Sequence, residues 1–309
     1  MVSIDLSIIR DIRKELGFTQ AELYKDIFSK VSYYNFEKGE KSIDLDQLAA
    51  VCTRLSMRPT ELLYRADFTR LDSIPFWKNK MELVNHLESH DQFHTKYADL
   101  ERQKYFSIGD YSIFIAFSAL GMSCGYIDRL NLTKNDLKKF KKYYKKRTIF
   151  FAVDYEILAN LTFFLPDLDL DINFLINKLF PLEESFGEVF DISVQNALKN
   201  LVSYHVSEKN FEESEKFLNQ FKKIRTINNF NINSVINLEV VYLEHINNFY
   251  KNRTISDFLE ATKMVNLFEK LGYTQLHKKL VSEISGIAES ENFQLPDDIV
   301  ISTKAYSNE

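Results

Sequence analysis

Chain breakers are scarce in this sequence, with 8 Gly and 5 Pro among 309 residues. A strand-rich sandwich needs tight turns at short intervals and a Gly-loop nucleotide fold needs glycines at fixed offsets. Both are excluded as the ground plan, and long helices are predicted instead. Cysteine is as sparse. Cys52 and Cys124 lie 72 positions apart without a CxxC, which argues against a disulfide framework or a zinc knuckle and predicts two reduced, buried thiols. No run of about 18 apolar residues occurs, and Met1-Val2-Ser3-Ile4-Asp5 carries no basic segment leading into an apolar one. The expectation is a cytoplasmic chain with neither signal peptide nor membrane span, in which the glycosylation-like triplets at Asn131, Asn160 and Asn252 mean little. Positive charge is in deficit, 39 Lys and Arg against 44 Asp and Glu for a net −5 and pI near 5.8. Binding of nucleic acid through overall charge is thereby excluded, and any such contact must be local. What the chain has in quantity is apolar and aromatic side chains, 45% and 14%, ample for a sizeable core.

The first 66 residues read as a compact helical unit. Ile4, Ile8, Ile9, Ile12 and Leu16 recur at helical spacing until Gly17 supplies a stop. Thr19 and Glu22 form a capping-box pair for a second helix that buries Leu23 and Ile27. Ser29 starts a third, Lys30 to Lys38, closed by Gly39. A fourth runs from Leu45 to Leu55, and Pro59 suits the first turn of a fifth. Such a pattern fits a helix-turn-helix, in which the third helix presents its N-terminal side chains to base edges while the second rests on phosphates. Candidate DNA-binding residues are Gln20, Lys30, Ser32, Tyr33, Asn35 and Lys38, with Tyr34 beside them and Val31 and Phe36 expected to face inward. Asn pairs with adenine, Ser serves several bases, and the lysines neutralise phosphate. The competing reading is a small helical domain that needs these residues, Tyr33 and Tyr34 included, only as core.

Gly17-Phe18-Thr19-Gln20-Ala21-Glu22-Leu23 followed by Phe36-Glu37-Lys38-Gly39-Glu40 resembles the five-helix helix-turn-helix of the phage-repressor (Cro/C1) superfamily. That superfamily places a Gly in the turn before the third helix. Here Phe28-Ser29 occupies the region and the spacing is one residue shorter, a departure shared with Rgg-like peptide-responsive regulators. The resemblance implies an internal ion pair between Arg13 and Glu37. Residues 1–66 hold ten basic and ten acidic side chains. A neutral headpiece gains little from counterion release, so useful affinity calls for two or more copies on spaced half-sites.

Beyond a lapse of periodicity around Asp72-Ser73-Ile74-Pro75, taken as a linker within 67–76, the sequence predicts successive helices. They run from Tyr105 to Leu120, Lys134 to Arg147, Asp154 to Leu165, Asp171 to Leu179, Asp191 to Val206, Phe211 to Ile224, Ser234 to Tyr250, Ile255 to Leu271 and Gln275 to Ala288. Asn160, Asn200 and Asn237 fall in the first helices of successive pairs, 40 and 37 residues apart, as in a degenerate tetratricopeptide-like array with a concave binding surface. The fold class expected is therefore all-α, a helix-turn-helix domain over 1–66 followed by a helical repeat domain over 67–290.

Lys146 to Ile157, Ser185-Phe186-Gly187, Leu198-Lys199-Asn200, Ile232-Asn233 and Leu238-Glu239 are similar to segments of the PrgX and TraA group, peptide-pheromone-responsive repressors of conjugative plasmids. The similarity runs from the helix-turn-helix to about Ala288. It implies a DNA-binding repressor of conjugation genes governed by a short hydrophobic peptide, dimers that assemble into tetramers, and a C-terminal arm, residues 291–309, rearranged by peptide. Asn160, Asn200 and Asn233 match Asn positions of that group and are the candidate peptide-binding residues, since one amide both donates to and accepts from an extended backbone. Phe164, Leu201, Ile236 and Val240 are candidates for side-chain pockets. Ile299-Val300-Ile301 in the arm is a strand signal able to pair with such a peptide.

The remaining constellations invite plainer readings. His86, His90 and His94 share a possible helix face but lack an HExxH, so a functional metal is not expected. The eight basic residues from Lys134 to Arg147 enclose a Leu137-Phe140-Tyr144 stripe and read as a solvated amphipathic helix rather than a second nucleic-acid site. No motif for catalysis or a cofactor is present. The alternative to a peptide-regulated repressor is a helical-repeat adaptor whose N-terminal domain binds protein.

Overall fold

The computed structural model describes residues 7–38, 40–57, 62, 88–104, 108–130, 132–145, 147–162, 164 and 172–292, and every regular element among them is helical. The chain divides into two compact units, Met1–Glu88 and Ser89–Glu309.

The first unit contains α1 (Ser7–Glu15), α2 (Gln20–Tyr24), α3 (Lys30–Glu37) and α4 (Leu45–Arg54). Gly17, at φ +76°, ends α1 in the left-handed region. Thr19 and Glu22 complete the capping box of α2, and Ser29 caps α3 through the Ser32 N–H. Between α2 and α3 it is Asp26 that takes the left-handed conformation, φ 62°, a role the superfamily gives to Gly and that a short polar side chain tolerates. Ile9, Leu23, Tyr24, Phe28, Phe36, Leu48, Val51 and Leu62 close the core. The expected fifth helix from Pro59, the Gly39 stop, the linker and the C-terminal arm beyond Asn292 lie outside the described residues.

A buried ion pair holds α3 to the elements before it. Glu37 accepts from Arg13 Nε at 2.6 Å and from a terminal Arg13 nitrogen at 3.1 Å, from Gln20 Nε2 at 2.6 Å and from the Tyr24 hydroxyl at 3.1 Å. Arg13 also donates to the Phe18 carbonyl at 2.6 Å. Burial alone would raise the Glu37 pKa. The hydrogen bonds from Arg13, Gln20 and Tyr24, with the Arg13 charge, outweigh it and hold the carboxyl below the usual range.

The second unit comprises α5 (His90–Gln103), α6 (Ile108–Ser123), α7 (Lys134–Lys145), α8 (Ala152–Leu161), α9 (Asn173–Leu179), α10 (Glu188–Ser207), α11 (Phe211–Ile224), α12 (Ser234–Asn252), α13 (Ile255–Lys270) and α14 (Thr274–Glu291). The periodicity locates all of these but α5, whose buried side chains are only Phe93 and Leu100. The Phe93 ring stacks on Phe117 at 4.7 Å and covers Gly121, where a Cβ would stand 2.2 Å from the ring. Helix α8 packs between α6 and α10, α10 then meets α12, and α11 and α13 lie against α10 and α12 as the second members of hairpins. Three fully buried aspartates join these layers. Asp136 receives Lys104 and both the N–H and hydroxyl of Thr133. Asp154 receives Tyr144, Arg147 and the Phe151 N–H. Asp191 receives Ser185 and, across to the segment before α12, the Asn231 N–H.

Two expectations need correction. Cys52 is buried, but Cys124 is exposed because it falls just past the last turn of α6. Phe164, Leu201, Ile236 and Val240 are core residues, each at most 7% exposed. They sit between helices and offer no pocket.

Replacing Arg13 by Ala leaves Glu37 buried without its cation, which should cost about 3–5 kcal/mol, a large part of a typical domain stability. Calorimetry of the full chain should show the first unit's transition lowered or lost. Because the folded pKa of Glu37 is depressed, its stabilisation is present above the unfolded carboxylate value of about 4.3 and disappears as pH falls through the lower folded value. The Arg13→Ala protein should melt with a weaker pH dependence there, and a wild-type-like melt at every pH would contradict the assignment.

Candidate functional site

Helix α3 has one face tied to the core and one left open. Phe36 and Glu37 are buried, while Lys30, Val31, Tyr34 and Lys38 are exposed. The expectation that Val31 faces inward is wrong, since it is 71% exposed. Positions 31, 34, 35 and 38 fall on one helical stripe, and the core takes positions 33, 36 and 37 on the other side. An outward valine near the N-terminus of such a helix suits the methyl group of thymine.

The predicted DNA-contacting residues divide by environment. Lys30 and Lys38 are exposed, with the Lys38 ammonium 4.4 Å from the centre of the Tyr34 ring. Asn35 is half-buried beside Tyr34. Ser32 shares a hydrogen bond of 2.9 Å with Ser29 and accepts from Lys41 Nζ at 2.8 Å, so Lys41, which the sequence reading passed over, joins the same surface. Tyr33 is half-buried with its ring stacked on Tyr24 at 5.5 Å. Gln20 is turned toward Glu37 by the bond described above. The open stripe thus combines amide, methyl, phenol and ammonium groups, a mixture able to touch base edges and phosphates.

In the second unit the three candidate asparagines do not gather in one place. Asn160 and Asn200 line a hollow of about 310 Å³ between α8 and α10. Asn200 also lines an adjoining hollow of about 440 Å³ bounded by α10, α12 and α14. Asn160 Nδ2 donates to the Glu156 carbonyl at 2.8 Å, and Asn200 Nδ2 to the Ala159 carbonyl at 2.9 Å. Each amide has a further N–H and an oxygen to offer. Asn233 lies in neither hollow. Its Oδ1 caps α12 by accepting from the Val235 and Ile236 N–H groups at 3.0 and 3.1 Å, a common use of Asn at a helix start. Asn196, one turn before Asn200, lines both hollows. The sequence reading missed it because it lies off the 40-residue spacing, although its i, i+4 relation to Asn200 was available.

The other constellations keep to themselves. His90 and His94 are exposed, with their Nε2 atoms 2.9 Å apart, and His86 lies outside the described residues. No group of three or more His, Cys, Asp or Glu side chains suited to a metal occurs among the described residues. Helix α7 buries Phe140 and Tyr144 and directs lysines outward, the amphipathic pattern its sequence predicts. No helix among the described residues is long and apolar enough to cross a membrane.

Comparison with known proteins bears on both units. Residues 9–62 match the helix-turn-helix family. The chain is similar over 97% of its length to PrgX in a complex with iCF10, at 28% identity, 95% coverage of that chain and a TM-score of 0.87. It is similar over 91% to PrgX in a complex with cCF10, at 28% identity, 98% coverage of that chain and a TM-score of 0.79. The Rgg2 pheromone receptor of Streptococcus dysgalactiae shares the fold, with a TM-score of 0.65 at 13% identity over 91% of this chain and 99% of that one. No curated protein sequence matches. Residues 97–287, which hold the asparagine-lined hollows and the buried aspartates between helices, match the family described as pheromone cCF10 receptor, C-terminal TPR region, and the chain belongs to that family.

Proposed function

We propose that the protein is a cytoplasmic, sequence-specific DNA-binding transcriptional regulator, a repressor of plasmid conjugation genes, controlled by a short hydrophobic peptide. Residues 1–66 serve as the DNA-binding domain, 67–290 as the dimerisation and peptide-binding domain, and 291–309 as a regulatory arm. The observation that carries the reading is the pairing, in one chain, of a helix-turn-helix with an open α3 stripe and a helical array with two adjoining hollows lined by Asn160, Asn196 and Asn200. Relatives of the same architecture have been solved with iCF10 and with cCF10. The local neutrality of the DNA-binding domain favours a homodimer on paired half-sites, and the family resemblance adds the joining of dimers as tetramers.

The reading treats Asn35, with Val31, Ser32 and Tyr34 around it, as the source of base discrimination, and Lys30, Lys38 and Lys41 as phosphate contacts. Gln20 and Tyr33 support the stripe from beneath. On duplexes enriched from a random pool by the full chain, Asn35→Ala should weaken binding by about 1–3 kcal/mol and relax the preference at one base position. Lys30→Ala or Lys38→Ala should weaken enriched and random duplexes alike and flatten the salt dependence. Equal losses on both kinds of duplex for Asn35→Ala would remove the readout assignment.

For the groove, replacing Asn160, Asn196 and Asn200 together by Ala should reduce peptide affinity at least tenfold, read by calorimetry with a peptide selected by the wild-type chain. Asn233→Ala should act on stability through the lost cap of α12, by about 1 kcal/mol. An unchanged peptide affinity in the triple variant would place the ligand elsewhere.

The arm is assigned on its sequence and the family resemblance. Deleting Leu295 to Glu309 should leave protein that binds a single enriched duplex site but no longer alters its DNA affinity on adding peptide. A truncated chain that responds as the full chain does would show another route for the signal.

A further inference from the structure

The peptide reading leaves open which way a peptide lies in the groove, and the inference here rests on that reading. Acid outweighs base in the larger hollow, where Glu208, Glu239 and Glu283 stand with Lys199 and Lys279. Lys199 is already paired with Glu239 at 3.1 Å, and Lys279 is exposed to solvent. Glu283, one turn beyond Lys279 on α14, is half-buried. Burial raises the pKa of its carboxyl, Glu239 adds to the rise, and Tyr242 and Lys279 offset only part of it. Nearby, Tyr242 is 1% exposed and its hydroxyl makes no hydrogen bond of good geometry, although it is close enough to Glu283 for the two to interact. The wall of the hollow thus carries a buried hydroxyl that lacks a well-formed hydrogen bond, next to a carboxyl whose burial Tyr242 and Lys279 only partly offset.

A cation with several N–H donors would relieve the Glu283 carboxylate and leave an acceptor role for the Tyr242 oxygen. An ammonium group has three such donors, whereas a carboxylate placed in the same hollow would face three acids. We propose that Glu283, with Tyr242 beside it, receives the N-terminal ammonium of the peptide, so that the groove requires a free amino terminus and takes the peptide in one direction. From that anchor the peptide backbone runs past Asn196 and Asn200, which the two hollows share, toward Asn160.

The test is affinity selection with mass-spectrometric readout on the full chain. The probes are one pool of short synthetic apolar peptides without lysine, arginine or histidine, bearing free amino termini, and the same pool N-acetylated. Retention from the free pool alone is expected, and acetylation of a retained peptide should weaken its binding at least tenfold. Glu283→Gln should weaken the free peptide and abolish the difference between the two forms. Equal retention from both pools would overturn the anchor while leaving peptide binding intact. Retention from neither pool would overturn the peptide reading and the anchor with it. Should Glu283→Gln fail to fold, the comparison of the two pools on the wild-type chain still decides the matter.

Discussion

A helix that offers one face to DNA has to be gripped by its other face, and in this protein the grip is a buried carboxylate. Glu37 ends α3, and donors from Arg13, Gln20 and Tyr24 converge on its two oxygens. In one point the interaction joins α1, α2 and α3, and it accounts for the inward turn of Gln20 and Tyr24. An ion pair in the interior adds little net stability over apolar packing, but it is costly to break and demanding in geometry. Its value to the domain lies in fixing how α3 is rotated, and so which of its side chains face outward.

The second unit uses the same device with aspartate. Asp136, Asp154 and Asp191 are fully buried, and each gathers N–H and O–H donors at the start of a helix, where a negative charge is also favoured by the helix dipole. With so few glycines and prolines to shape its connections, the chain sets the stagger of its long helices through these polar joints. Gln195 extends the last of them by donating to the Asn231 carbonyl and accepting from the Asn233 N–H, both at 2.9 Å. The stacked helices enclose one hollow between α8 and α10 and an adjoining one bounded by α10, α12 and α14.

Much of this was legible in the amino-acid order. Spacing located nearly every helix, the capping box at Thr19 and Glu22 is where the sequence places it, and the Arg13–Glu37 pair is where the superfamily resemblance implied. Several segments that carry the family resemblance contain the polar joints: Arg147 with Asp154, Ser185 with Asp191, Lys199 with Glu239, and the Asn233 cap. What could not be read was the rotation of each helix about its axis where periodicity is ambiguous. Val31 sits in a helix with apolar or aromatic residues at 31, 33, 34 and 36, so its outward placement depends on Glu37 being pulled in. Asn serves caps and ligands with the same atoms, so the cap that Asn233 forms on α12 could not be told from a ligand role in the sequence. Helix α5 was hidden because its apolar stripe is narrow.

The central claim is that one chain couples a DNA-reading face to a peptide groove. Coupling is reciprocal, so a peptide that changes DNA affinity must have its own affinity changed by the same factor when DNA is bound. The most direct measurement is the affinity of the full chain for an enriched duplex, taken with and without a saturating peptide retained from the free-amine pool, together with the affinity for that peptide with and without the duplex. The account predicts equal factors in the two directions, on the order of 5–150-fold. Peptide binding that leaves duplex affinity unchanged would contradict it.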